Sequence, residues 1–532
     1  MLELVRKDSG HPDPAILNPA SAAKRLAEMR GAEPFTALNE LSDWLDTVQR
    51  MPSQDEKVRS EVLSLIQEAG HPHLSALLAP FLAKPTNPQG RHEESWQTCI
   101  DYLTALSAAL CASASLLLKS TATDPALHLA GAAGAARGLH AGRMLAKACL
   151  ARYLSVPSKL WRLAYAVHDD AEAAGCAATP VHMHAAQKTA TTVTQQFLRL
   201  LMLQSSAPEM MVPEQIEVAD RVIEQLGGDF TLRARGVTDN PFCFDPASER
   251  PPRRAAGEPP EPNAQMRYFG AGSGLDALQR LYKDLVAMTQ TTEIKVFGRD
   301  IAPHAQVSAL EHLLGFWAAR SPYSPPARSN AVGELRVIRG YAQIWQQLSS
   351  ARSATTELAL AEDGEIAPPA LETWILQDAG GTELGAQIAQ RSSDSARCGD
   401  VVGVSIDDKY QLGMIRSMHA EWDGRLHANI AMLSRDPQAV QLRVLIAQEN
   451  GRVSSEQTAR QFSSSVVRAI ILSDGSEGSQ KPNFLLAPDG WKQGRVYEVT
   501  LEGCARYLRG VQRLRRTDDY VRATFEWVAQ PR

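Results

Sequence analysis

The sequence predicts a multidomain α+β protein, with an all-α N-terminal half followed by an antiparallel β-barrel and a further β-rich unit. Three observations lead there. The chain has 532 residues, more than one hydrophobic core organises. Apolar side chains recur at three- and four-residue spacing up to about residue 320. Beyond that point short alternating runs separated by Gly and Asp turns take over.

Residues 1–20 are polar and read as a flexible tail. Asn18-Pro19 then opens a helix, with proline in the first turn, where its missing N–H costs nothing. Phe35, Leu38, Leu41, Leu45 and Val48 form a first stripe, and Val58, Val62, Leu65 and Ile66 a second. Helices are expected over about 93–118, 126–154, 157–175, 181–206 and 213–226, making 21–235 a helical domain. Gly134, Gly138 and Gly142 lie four apart, on one helical face, and predict close helix–helix contact. Residues 236–266 hold seven prolines, with Arg250, Arg253 and Arg254 among them, and read as a linker or loop. Residues 267–320 form a helical connector, opened by the capping-box pattern Ser273-Gly274-Leu275-Asp276. A barrel is assigned to 321–448 and the further β-rich unit to 449–532. Expected strands include 334–339, 401–406, 412–418, 425–432, 440–446, 466–472, 483–486, 495–501, 507–515 and 521–527. Asp423-Gly424 and Thr517-Asp518-Asp519 mark hairpin turns.

Composition narrows the function classes. With 55 basic and 60 acidic side chains the net charge is −5, so no global field favours nucleic acid or an anionic membrane. The seven cysteines are scattered and never paired as CxxC, which fits reduced thiols in a reducing compartment better than a disulfide framework or a zinc site. The N-terminus has no apolar run of signal-peptide length, and the most apolar stretch, 104–118, falls short of the ~20 residues a bilayer span needs. A cytoplasmic protein without membrane insertion is expected.

Motifs for catalysis are missing: there is no G-x-S-x-G, H-E-x-x-H or Walker A pattern. The H-x-H pairs His71/His73 and His182/His184 lack a visible third ligand, so no metal and no resident cofactor is expected. Gly270 to Gly274 reads as a turn into a helix rather than a phosphate loop. The densest basic cluster runs from Arg506 to Arg516. On a regular strand Arg509, Arg513 and Arg515 share one face with Tyr507, which would suit an acidic or phosphorylated partner.

In the C-terminal part Gly399-Asp400-Val401-Val402, Leu412-Gly413-Met414-Ile415-Arg416 and Asn429-Ile430-Ala431-Met432-Leu433 occur in an order that resembles the PilZ-type domain, a bacterial receptor module for cyclic di-GMP. The stretch from Tyr153 through Trp161 to His168 has a diffuse similarity to larger proteins that place a helical region before such a module. The resemblance implies two ligand motifs. R-x-x-x-R falls on 324–328, with Ser324 at the first arginine position and Arg328 at the second; Arg320 is a candidate replacement. [DN]-x-S-x-x-G falls on 378–383, where Asp378 matches, Gly380 replaces the serine and Glu383 the glycine; Gly385 fits only with a shifted register. Losing one arginine removes a bidentate phosphate contact. The resemblance thus implies a PilZ-like barrel in a non-enzymatic regulatory or adaptor protein that acts on a protein partner. Its ligand would be cyclic di-GMP, contacted by Arg328, Asp378 and Arg320. The alternatives are a ligand-independent scaffold and, third, a nucleic-acid-binding module using the Arg506–Arg516 face.

Overall fold

The computed structural model describes residues 18–530 except 51–54, 84–90, 121–123, 185–188, 237, 256–264, 289–296, 299–300, 321–322, 324–327, 354–369, 389–395, 407–408, 446–465 and 473–480. Two compact units divide at residues 323 and 324. The expected tail, apart from its last residues, and Ser324 lie outside the described residues.

The first unit is built on helices α1 (Pro19–Glu28), α2 (Pro34–Arg50), α3 (Glu56–Ala83), α4 (Arg91–Leu118), α5 (Pro125–Leu150), α6 (Ser158–Ala173), α7 (Val193–Ser205) and α8 (Pro213–Leu226). Asn18 caps α1 as its sequence suggests: its Oδ1 accepts from the N–H groups of Ala20 and Ser21. The region expected as one helix from 181 is different. Val181 pairs with Thr191 in an isolated bridge, and α7 starts only at Val193, capped by Thr192, whose hydroxyl accepts from Gln195 N–H at 3.0 Å. His71 and His73 stand away from any helix end. Both lie inside α3, the first exposed and the second buried.

The glycine face of α5 makes the expected close approach. A Cβ on Gly138 would lie 2.6 Å from Cys111 Sγ of α4, and one on Gly142 would lie 2.7 Å from Leu160 Cδ1 of α6. Ser107 of α4 then donates to the Gly138 carbonyl at 3.0 Å. Helix α4 is longer than its apolar stretch suggested. Among the described residues, Glu93–Leu118 is one helix long and apolar enough to cross a membrane by length and composition, and 61% of its apolar window is buried inside the protein. Neighbouring helices take up that surface, as for a core helix.

The region read as a linker is partly ordered into a sheet. Strands β1 (Thr231–Arg233), β2 (Phe242–Phe244), β3 (Arg253–Arg254) and β4 (Arg267–Gly270) form one sheet in the order β1-β4-β2-β3. Phe242, Cys243 and Phe244 are all buried, and Phe244 stacks on Tyr165 of α6 with centroids 4.8 Å apart. This burial overrides the local turn composition. Helices α9 (Gly274–Met288) and α10 (Pro303–Trp317) complete the first unit rather than connecting two units. Ser273 does not act through the expected capping box; its hydroxyl donates to Asp229 Oδ1 at 2.8 Å.

The second unit holds two closed antiparallel six-stranded barrels. The first uses β5 (Ser329–Arg339), β6 (Leu371–Ala379), β7 (Glu383–Ile388), β8 (Val401–Ile406), β9 (Lys409–Ala420) and β10 (Leu426–Ser434), in the order β10-β7-β6-β5-β8-β9. The second uses β11 (Gln438–Leu445), β12 (Val466–Leu472), β13 (Asn483–Leu486), β14 (Val496–Leu501), β15 (Cys504–Arg516) and β16 (Val521–Val528), in the order β11-β12-β13-β16-β15-β14. Strand β11 belongs to the second barrel, so the barrels divide between Ser434 and Gln438 rather than at 448. Gly424 has φ +96° in the expected Asp-Gly hairpin, a left-handed conformation that glycine adopts without strain.

An unexpected helix, α11 (Tyr341–Ser353), leaves the first barrel between β5 and β6. Its Tyr341, Ile344 and Trp345 share a core with Val401 and Leu412 of the first barrel and Ala439, Ile470, Leu472, Leu485 and Tyr520 of the second. Trp345 Nε1 donates to the Val440 carbonyl at 3.2 Å, and Tyr520 Oη donates to the Gly399 carbonyl at 2.8 Å. These buried groups keep their hydrogen bonds while joining the barrels.

Candidate functional site

Four residues align across the outer face of the first barrel. Asp378 of β6 pairs with Gly385 of β7, Gly385 with Asn429 of β10, and Asn429 with Ser417 of β9. The face is set by alternation: Leu384 and Ala386, and likewise Ala428 and Ile430, are buried and point the other way. Arg328 stands just before β5, whose Ser329 pairs with Ala379. Its guanidinium crosses the row, donating from Nη1 to Asp378 Oδ1 at 3.1 Å and to Asn429 Oδ1 at 2.6 Å. Asn429 Nδ2 in turn donates to Ser417 Oγ at 2.8 Å.

Gly385 makes this crossing feasible. A Cβ there would lie 2.5 Å from Asp378 Oδ1, closer than carbon and oxygen approach without displacement.

Glu383, the residue standing where the motif glycine was expected, is the most buried charged group of the site, at 1% side-chain exposure. Its Oε2 lies 3.5 Å from Arg328 Nη2 and its Oε1 lies 2.6 Å from Arg416 Nη1. Arg416 reaches it because of a β-bulge. Ser417 pairs with Asn429 and Ile415 with Ile430, leaving Arg416 as the extra residue of β9. Two guanidiniums and two carboxylates make the site formally neutral. Such forks bind planar or tetrahedral oxyanions through paired N–H groups.

The structure therefore brings Arg328 and Asp378 together, from positions 50 apart in sequence. Arg320 is exposed and lies in the first unit, past the end of α10. Glu383, Arg416, Asn429 and Ser417 were not singled out as site residues by sequence. The faint signal for Arg416 was the strand motif it closes.

The expected Arg509–Arg513–Arg515 face is not regular. Strand β15 has register shifts between Gly510 and Gln512 and between Arg513 and Arg515, so alternation fails twice. Arg509 pairs with Glu526 at 3.3 Å, whereas Arg515 turns to the first barrel, with Nη1 3.3 Å from Met414 Sδ. The bulges separate side chains that a flat strand would group.

The first unit holds a second charged cluster, buried between α5 and α8. Arg143 and Lys147, one turn apart, both hold Asp220, at 2.6 and 2.8 Å, and Lys147 also pairs with Glu217 at 2.9 Å. Arg143 also pairs with Glu224. Burial pushes the Asp220 carboxyl up, but the Arg143 and Lys147 charges outweigh it and hold it at about 2. A buried pair of this kind is costly to break from one side, because an unpaired charge is left behind. Elsewhere in this unit the donor atoms of His168, Asp169 and Glu172 lie within 4.8 Å of one another. Burial, helped by the Arg267 charge, keeps the His168 imidazole down at about 4 and hence neutral.

Comparison with known families reaches the first unit. Residues 20–236 match the family model described as the N-terminal domain of the cyclic-di-GMP receptor FimW. The matched segment runs from α1 to β1; the two barrels lie beyond it. No curated protein matches the chain, and no solved structure does.

Proposed function

We propose that the chain is a regulatory protein without catalysis of its own, which responds to cyclic di-GMP and acts on a protein partner. The first barrel, read as PilZ-like, would hold the nucleotide at Arg328 and Asp378, and the helical unit would carry the response. The observation that carries this reading is the Arg328 guanidinium bonded to both Asp378 and Asn429, the two residues that flank Gly385 across the sheet. The receptor-family match over 20–236 supports it independently, because it comes from a different part of the chain. Seven scattered thiols, six of them buried, support a cytoplasmic setting.

A second reading, a scaffold that needs no ligand, draws support from the pairing of both arginines with carboxylates already in the protein. Calorimetric titration of the full chain with cyclic di-GMP separates the two. The receptor reading expects heat from the wild type that is lost in Arg328→Ala. Heat that persists in Arg328→Ala moves the nucleotide away from this barrel site. Silence in the wild type favours the scaffold.

A further inference from the structure

The site has two guanidiniums where the sequence motif retains one, and between them sits a carboxylate. We propose that Arg416 supplies the second arm of an oxyanion clamp with Arg328, and that Glu383 occupies the clamp as a built-in substitute for the ligand's phosphate. This rests on the reading that the first barrel is the ligand-binding barrel.

Geometry gives the first support. Both Glu383 oxygens face a different arginine, Oε1 at 2.6 Å from Arg416 and Oε2 at 3.5 Å from Arg328. Arg416 comes from β9 and Arg328 from the chain before β5, so one carboxylate bridges two arms from separate strands. A phosphodiester also offers two anionic oxygens to guanidinium forks and fits the same pair of donors.

Burial gives the second. Burying a charged glutamate on a barrel's outer face is costly unless it is well paired, and Glu383 is buried to 1% exposure while its two partners retain 18% and 33%. The arginines therefore border solvent while the carboxylate sits beneath them. A ligand arriving from solvent meets the guanidiniums first.

Position gives the third. Glu383 is the first residue of β7, directly after the Gly380-Gly381-Thr382 turn. That turn is held by Gly380 N–H donating to the Glu383 carbonyl at 2.8 Å and by Arg435 donating to the Gly381 carbonyl at 2.9 Å. A strand-end glutamate has three side-chain torsions with which to leave the clamp without unpairing β7. The site, with Asp378 counted, is formally neutral while Glu383 is charged and gains one positive charge when that side chain is neutralised. Ligand binding is thereby weakened by an internal competitor.

The test uses the full chain and two probes, inorganic pyrophosphate and cyclic di-GMP, titrated by calorimetry into the wild type, Glu383→Gln and the double variant Glu383→Gln/Arg416→Gln. The proposal expects Glu383→Gln to bind pyrophosphate at least tenfold more tightly than the wild type, and the double variant to lose that gain. Equal pyrophosphate affinity in wild type and Glu383→Gln overturns it, as does a double variant that binds like the single one. Glu383→Asp, which keeps the charge but shortens its reach, gives a smaller gain in the same direction and serves if the amide variant does not fold. Tighter pyrophosphate binding with no response to cyclic di-GMP retains the clamp and rejects the nucleotide reading. Cyclic di-GMP binding that ignores both substitutions does the reverse.

Discussion

Gly385→Ala tests the construction of the site most directly. Alanine fits a β-strand backbone, so any loss must come from the added methyl group. That carbon would lie 2.5 Å from Asp378 Oδ1, 2.8 Å from Oδ2 and 2.8 Å from Cγ. The carboxylate must swing aside and give up its 3.1 Å bond from Arg328. Overpacking costs about 1–3 kcal/mol, and a partly exposed ion pair adds about 0.5 kcal/mol. Alanine returns about 0.4–1 kcal/mol by restricting the unfolded chain. The net expectation is a loss of about 1–2 kcal/mol. For a unit of this size about 1 kcal/mol moves Tm by roughly 2–4 °C, so calorimetric melting of the full chain shows one transition lowered by roughly 3–6 °C. The control is the same substitution in Asp378→Ala, where no carboxylate remains to collide and Gly385→Ala becomes neutral or slightly stabilising. An equal loss in both backgrounds refutes the steric account.

Two further outcomes follow from buried groups. The Asp400 carboxyl is pushed up to about 6 by burial and, less, by the Asp519 charge, against the opposing Arg397 N–H and the Arg339 and Arg397 charges. The folded protein thus binds this proton more tightly than the unfolded chain, so the stabilisation is complete below about pH 4 and is lost as pH rises through about 6. Asp400→Asn should therefore be more stable than wild type at pH 7.5, by about 1–3 kcal/mol, and equal to it near pH 4; urea melts at both pH values check this, and a constant difference speaks against it. Gly138→Ala should reverse the usual sign for a helix interior. The normal gain of about 1 kcal/mol gives way to a loss, because the new carbon meets Cys111 Sγ at 2.6 Å and Cys111 N at 3.1 Å; a raised Tm would contradict tight α4–α5 packing.

The legible parts of the fold were those where periodicity and burial agree. Val401–Ile406, Val466–Leu472 and Asn483–Leu486 run as expected, because their apolar residues are packed within the second unit. Strands β6 and β7 escaped notice since Glu372, Asp378, Glu383 and Gln387 interrupt their apolar runs. Glu372, Asp378 and Glu383 build ion pairs, the last two in the site, and Gln387 accepts a hydrogen bond from Gln377. Helix α11 was missed in a stretch dominated by strands, where its apolar side chains gain meaning only from the second barrel that covers them. The buried Phe242–Phe244 strand was hidden by the flanking Pro241 and Pro246, since its burial too depends on elements distant in sequence. At the site, the motif resemblance was enough to pair Arg328 with Asp378. It could not supply Arg416, whose approach to Glu383 depends on a bulge, and bulges leave no fixed mark in composition.

The strand that closes the first barrel ends at Ser434 and the strand that opens the second begins at Gln438. Three intervening residues are too short a tether for independent swivelling, and α11 seals the seam from the side. The pair therefore folds and melts as a single block. Recombination at that seam would wet Tyr341, Ile344 and Trp345 together, and neither fragment would leave with a finished surface.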